Sequence, residues 1–192
     1  MKHLVAAFAL LALTGCITVS KVETGERMVG DRLALSLDGA WNRVSELASG
    51  PAQTWTMEGI PVDRLLIYSG VKDGEAIHPP PALFDTDRKT FSFRARMQPD
   101  EIVALFEGWL TRDASSYHLI KLEPSTFGGK KGFRFEYALT RRIDNVQLSG
   151  IGYCAVSKGE LFALVYMAPR LAFFARHAPA VEQIARTARV RD

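Results

Sequence analysis

Hydrophobic and polar positions alternate along much of this chain, and one central stretch instead keeps clean helical spacing. Leu33, Leu35 and Leu37 share one side of the run Arg32 to Asp38 and predict a strand. Gly39 ends it, and Trp41 with Val44 predicts a second short extended segment. After a turn at Gly50-Pro51, Trp55-Thr56-Met57 and Leu65-Leu66-Ile67-Tyr68 predict two strands around a tight connection at Glu58-Gly59. Phe91 and Phe93 give a brief strand. Ile102, Leu105, Phe106, Trp109 and Leu110 then recur on one helical face. Pro99-Asp100-Glu101 suits the first turn of that helix, because Pro needs no donor there and the acids face the positive end of the dipole.

Three further strands follow at Tyr117 to Leu122, Gly132 to Thr140 and Val146 to Val156. The middle one sets Phe133, Phe135, Tyr137 and Leu139 against Arg134 and Glu136. Ser157-Lys158-Gly159-Glu160 turns the chain into Leu161 to Met167, a run apolar on both faces and so placed centrally, with helices covering at least one side. Ala168-Pro169 stops it. Two helical stretches, from Arg170 to His177 and from Pro179 to Val190, finish the chain, the second with Val181, Ile184, Ala185 and Ala188 as its buried stripe. Antiparallel hairpins without repeated crossovers predict an α+β fold, a central antiparallel sheet flanked by helices.

The first residues follow another logic. Lys2 and His3 open a segment whose Leu4 to Leu13 run is apolar, and Thr14-Gly15 precede Cys16. Roughly ten apolar residues are too few to span a bilayer, which takes about 20. Their length and flanks suit a signal peptide. Leu13-Thr14-Gly15-Cys16 resembles the lipobox of bacterial lipoproteins. The resemblance implies cleavage before Cys16, a diacylglycerol on its sulfur and an acylated amine. Two or more chains anchor stably where one binds marginally, each buried methylene contributing about 0.8 kcal/mol. Ile17, in place of an Asp, resembles cargo sent to the periplasmic face of the outer membrane. The expected organisation is a signal peptide over 1–15, a polar lipidated tether over 16–30 reaching roughly 40 Å when extended, and one globular domain over 31–192.

A second resemblance lies near the other end. The hairpin ending in Lys158-Gly159-Glu160-Leu161-Phe162-Ala163-Leu164-Val165-Tyr166, the aromatic pair Phe173-Phe174 and then Val181-Glu182-Gln183-Ile184 together resemble the C-terminal half of PsbP-like domains. That group includes the extrinsic photosystem proteins and the Ran-binding Mog proteins. The likeness implies a central antiparallel sheet and transfers no functional residue, since fold alone does not carry function.

Charge narrows the partners. The formal charge is +3, and loss of Lys2 with the signal leaves +2. Without a clustered basic face this excludes a nucleic-acid footprint; the membrane, through the anchor, and an envelope protein or lipid remain as partners. Lipidation of Cys16 leaves Cys154 without an intramolecular mate. Alternation puts Cys154 with Val146, Leu148 and Val156 on one strand face, as a packed core thiol.

Candidate chemistry is sparse. Asp85 and Asp87 could offer carboxylates to a hard cation, but a calcium loop needs more oxygen ligands and a Gly at fixed spacing, so Asp85 to Lys89 reads as a polar turn. It sits in the irregular stretch Gly70 to Lys89, with Pro79-Pro80-Pro81. Phe127-Gly128-Gly129-Lys130-Lys131-Gly132 is a Gly-rich basic loop. It lacks the hydroxyl and following helix of a Walker motif, leaving a hairpin tip whose Lys130 and Lys131 could touch an anion or lipid headgroup. His78, His118 and His177 lie too far apart for common zinc motifs, and no metal or cofactor is expected. No Gly-x-Ser-x-Gly elbow is present. Trp41, Trp55, His78 and Asp87 are the candidate pocket, with core packing as the plainer role for the tryptophans. The sequence thus leads to a lipid-anchored envelope protein with a non-catalytic binding or assembly role. Its alternatives are an envelope hydrolase using His78, Asp85 or Asp87, and a carrier of an apolar ligand.

Overall fold

The computed structural model describes residues 18–45, 50–78 and 90–191. Eleven strands are described, in two antiparallel sheets. The strands are β1 (Thr18–Val22), β2 (Gly25–Val29), β3 (Leu33–Leu37), β4 (Trp41–Ser45), β5 (Ala52–Thr56), β6 (Arg64–Val71), β7 (Ser116–Phe127), β8 (Lys130–Thr140), β9 (Gln147–Ser157), β10 (Glu160–Pro169) and β11 (Arg189–Val190). The large sheet runs β1-β4-β5-β6-β10-β9-β8-β7, and the small one β11-β3-β2.

Strand β10 lies inside the large sheet between β6 and β9, as its two apolar faces require. Leu161, Ala163, Val165 and Met167 point into one core, and Phe162, Leu164, Tyr166 and Ala168 into the other. The first core is closed by α1 (Pro99–Leu110), through Ile102, Val103, Leu105, Phe106 and Trp109. Gln98 N–H donates to the Glu101 carboxylate at 2.7 Å, and Pro99 opens the helix without a lost donor. The second core is closed by α2 (Ala175–Thr187), through Val181, Ile184 and Ala185, together with Leu33, Leu35 and Leu37 of the small sheet. Helical flanking therefore holds only in part: each face carries one helix, and strands cover the rest of the second face.

Aromatic packing on the α1 side depends on two glycines. Phe135 stands opposite Gly152 and Tyr137 opposite Gly150 in the β8–β9 ladder. A Cβ at either glycine would fall within the facing ring. On the other face, Arg134 donates to the Tyr153 hydroxyl and to Glu123, Glu136 and Glu182, joining β7, β8, β9 and α2.

Three expectations are corrected. The stretch expected as a tether contains β1, paired with β4 from Thr18↔Ser45 to Val22↔Trp41, and β2, paired with β3. Its polar composition misled because both strands are edges, half solvated, so few of their side chains are apolar. The two terminal helices are one continuous run, a π-helical turn over Arg170–Phe174 leading directly into α2. Pro179 reads as a helix start, yet it lies in the first turns of α2, where its missing donor affects only residue 175 at the widened entry. Finally, the end of that predicted helix is β11, held to β3 and through Val190 N–H to the Gly128 carbonyl at 2.9 Å. No helix among the described residues is long and apolar enough to cross a membrane.

Candidate functional site

At the end of the large sheet away from the β7–β8 and β9–β10 hairpins lies a cleft of about 260 Å³. Its walls come from the β5–β6 loop, the C-terminal end of α1 and the loop after it, and the lower ends of β8, β9 and β10. Trp109, Leu139, Leu148 and Met167 supply apolar lining, while Arg64, Arg112, Arg141, Asp63, Asp113 and Ser115 supply polar lining.

The β5–β6 loop is shaped by Asp63, which is 1% exposed. Its carboxylate accepts from the Thr56 hydroxyl and from the backbone N–H groups of Met57 at 3.0 Å and Glu58 at 2.8 Å. A buried carboxylate satisfied by three donors is a structural clamp, with little acceptor capacity left for a ligand. The loop is pinned from outside as well. Glu58 Oε1 lies 2.8 Å from His177 Nε2 on α2, and Arg141 Nη1 donates to the Pro61 carbonyl at 3.0 Å.

Arg141 also grips Asp144 through two nitrogens, at 2.9 and 2.6 Å, and these bonds hold the Asp144 carboxyl below its ordinary range. Desolvation pushes the Asp113 carboxyl up, but hydrogen bonds from Ser115 and the charge of Arg112 outweigh it and hold it low. Between these residues Ala114 sits at φ 64°, a left-handed conformation that a side chain adopts at a cost. The Trp109 indole N–H is buried without an acceptor among the described residues. The His78 ring stacks on Trp109 with centroids 5.0 Å apart, and Arg112 Nη1 lies 3.3 Å from His78 Nδ1.

The cleft therefore joins permanently charged guanidinium groups to apolar side chains, while its acids are bonded to backbone donors. Arginine presents a planar fork of donors that matches a carboxylate. Arg141 is already paired with Asp144, and the charge of Arg112 acts on Asp113, so much of the cleft's charge is balanced within the fold.

The expected pocket does not assemble. Trp41 and Trp55 are buried in the α2-side core, Trp41 edge-on to Tyr166 at 6.4 Å and Trp55 donating to Gln53 at 3.2 Å. His78 lies with Trp109 on the other face of the sheet. Asp85, Asp87 and Cys16 fall outside the described residues. Lys130 starts β8 opposite Phe127, and the tip is docked rather than projecting, since Gly128 is covered by Val190. Gly128 and Gly129 both have positive φ, as a two-residue hairpin loop with the twist of its strands requires. Cys154 is fully buried on the α1 side and burial pushes its thiol pKa up, so it stays protonated and unreactive. Among the described residues no group of His, Cys, Asp and Glu is arranged to hold a metal. Sequence reasoning missed Arg64, Arg112 and Arg141, which come from three segments; the one available signal was that each stands at the end of a strand or helix.

Comparison with solved structures gives the architecture a precedent. The cyanobacterial PsbP protein CyanoP from Synechocystis sp. PCC 6803 superposes with a TM-score of 0.58 at 12% identity, covering 93% of this chain and 95% of that one. The fold is PsbP-like. A protein of unknown function from Pseudomonas aeruginosa, described as a putative regulator, superposes at 0.44 with 14% identity over 89% of this chain and 99% of its own. LpqN, involved in cell envelope biogenesis of Mycobacterium tuberculosis, superposes at 0.36 with 12% identity over 92% of each chain. No family model and no curated protein sequence matches the chain. At these identities the PsbP-like likeness describes the backbone and leaves the cleft residues to be judged by their own chemistry.

Proposed function

We propose that this chain is a lipoprotein of the bacterial cell envelope, anchored through Cys16 at the periplasmic face of the outer membrane, whose PsbP-like domain binds a partner or ligand without catalysis. The observation that carries the reading is Leu13-Thr14-Gly15-Cys16 placed immediately before the fold: β1 begins at Thr18, with Ile17 alone between it and Cys16. Two residues span at most about 7 Å. The domain would then sit against the bilayer, with no spacer to carry it across the periplasm. A binding role is supported by a cleft whose acids are tied to backbone donors and by a buried, protonated Cys154 that offers no thiolate.

Expression in a Gram-negative host with labelled palmitate tests the anchor. Label in the wild-type protein and cofractionation with outer membranes are expected, and both are lost in Cys16→Ala. An unlabelled, soluble wild-type protein would contradict it. Crosslinking in cells and capture of the lipidated protein tests the binding role, which recovery of neither a partner nor a ligand would oppose.

A further inference from the structure

The two most exposed large apolar side chains among the described residues each follow an exposed arginine. Ile143, 87% exposed, follows Arg142, and Leu171, 92% exposed, follows Arg170. We propose that these two pairs seat the domain on the bilayer, with Ile143 and Leu171 entering the headgroup layer and Arg142 and Arg170 meeting lipid phosphates. The inference rests on the anchored reading and specifies which surface of the domain the anchor holds against the membrane.

Strand register places the two pairs together. Thr140, the last residue of β8, faces Gln147 at the start of β9, and the next residue of β9, Leu148, faces Pro169 at the end of β10. The β8–β9 loop and Arg170-Leu171 therefore leave the sheet at the same end. Neighbouring strands lie about 4.8 Å apart, so their points of departure stand about 10 Å apart across β9. Isolated apolar side chains on a surface are ordinary, whereas apolar groups gathered among polar ones mark contact with a membrane or a protein.

The chain that would carry the lipid reaches the same end. Arg141 donates to the Pro61 carbonyl at 3.0 Å, which ties the β8–β9 loop to the β5–β6 loop. Ile60, in that second loop, lines the cleft beside Arg141 and also lines a groove with Val19, Val44 and Met57. Val19 is 59% exposed and follows Cys16 by three residues, a span of at most about 11 Å. A lipid on Cys16 would bring the bilayer to this groove and, past Ile60, toward Ile143.

Charge favours a phospholipid surface as the occupant. Arg141 is paired with Asp144 and Arg176 with Glu58, but no acid bonds the side chain of Arg142 or Arg170 among the described residues. Arginine stems lie along apolar surface while their heads stay among polar groups, the arrangement that a headgroup layer rewards. Binding there combines buried apolar area with attraction to anionic lipid. Two separate tips need no matching relief on a fluid bilayer. A protein partner would have to present a complementary surface of about 800 Å².

The test uses the full-length mature protein in vesicles of phosphatidylethanolamine and phosphatidylglycerol, with or without bromine on the acyl chains. The three native tryptophans are at most 7% exposed, and their wild-type signal is subtracted. Bromine should quench the emission added by Ile143→Trp or Leu171→Trp at least twofold. It should leave the emission added by Ile120→Trp, on the β7 edge, unchanged. Combining Arg142→Gln and Arg170→Gln with Leu171→Trp should reduce the quenching at least twofold. In a protein shown by intact mass to be lipidated, the inference is overturned if both indoles stay unquenched, as a surface reserved for a protein partner would leave them. Equal quenching in Ile120→Trp, or quenching that the double arginine variant does not change, also overturns it. A mass without lipid overturns the anchored reading, and this inference with it.

Discussion

His78 lies flat on Trp109, ring centroids 5.0 Å apart and planes 27° from parallel. The pair joins the chain that follows β6 to the last turn of α1, and it places an imidazole and a guanidinium at the edge of the cleft. An aromatic pair of this kind contributes about 0.5 to 1.5 kcal/mol beyond the area it buries. His78→Ala should therefore lower stability by about 1 kcal/mol and shift Trp109 emission, while Trp41 and Trp55 across the sheet are unaffected. Denaturant titration and fluorescence of single-tryptophan variants check this, and an unchanged Trp109 spectrum would refute the stack.

Gly150 and Gly152 lie beneath Tyr137 and Phe135. An added methyl must displace a ring in a core that is already filled, and overpacking costs typically about 1 to 3 kcal/mol. Gly150→Ala and Gly152→Ala should each lower the unfolding free energy by about that amount, measured by urea denaturation. Gly129→Ala, whose added carbon meets nothing within 4 Å but whose φ is 76°, should cost less, about 1 kcal/mol.

Much of this architecture can be read in the residue pattern. Strands β8, β9 and β10 carry alternating or doubly apolar runs, and α1 carries a helical stripe behind Pro99, because each buries a face deeply enough to force periodicity. Strands β1 and β2 bury little, so polar residues are tolerated and the period disappears. Strand β11 is two residues long and has no pattern to show. The cleft was hidden for a different reason. Arg64 and Arg112 stand 48 positions apart, and only the pairing of β6 with β10 and the seating of α1 bring them to one cleft. Trp41, Trp55 and His78 looked like a pocket because aromatic type is visible in a sequence, whereas the face of the sheet each occupies is set by long-range pairing.

Asp63 holds the loop on one side of the cleft through three donors. Removing a buried acceptor leaves those donors unpaired, at about 1 to 3 kcal/mol for each group left unsatisfied. Asp63→Ala should destabilise the protein by about 3 kcal/mol or more, whereas Thr56→Val, which leaves the backbone bonds, should cost less. Thermal denaturation of the two variants distinguishes a clamp from a dispensable contact, and equal effects would argue against the clamp.

All five tyrosines have phenols shifted above their ordinary value, with desolvation the largest cause at each. The folded state thus holds its phenolic protons while the unfolded chain releases them near pH 10. Their contribution to stability is complete below that value and falls as pH rises above it. Absorbance at 295 nm should show tyrosinate appearing in one cooperative step that coincides with loss of circular dichroism. A gradual rise centred near pH 10 in a still-folded protein would contradict the burial.

The anchor is the claim on which the rest of the cellular picture stands. Intact mass spectrometry of the protein extracted from membranes tests it directly. The account predicts a chain beginning at Cys16, carrying the mass of a diacylglycerol and an amide-linked acyl group, with Cys154 unmodified. A mass matching a chain that retains residues 1–15, or one beginning elsewhere without lipid, would contradict it.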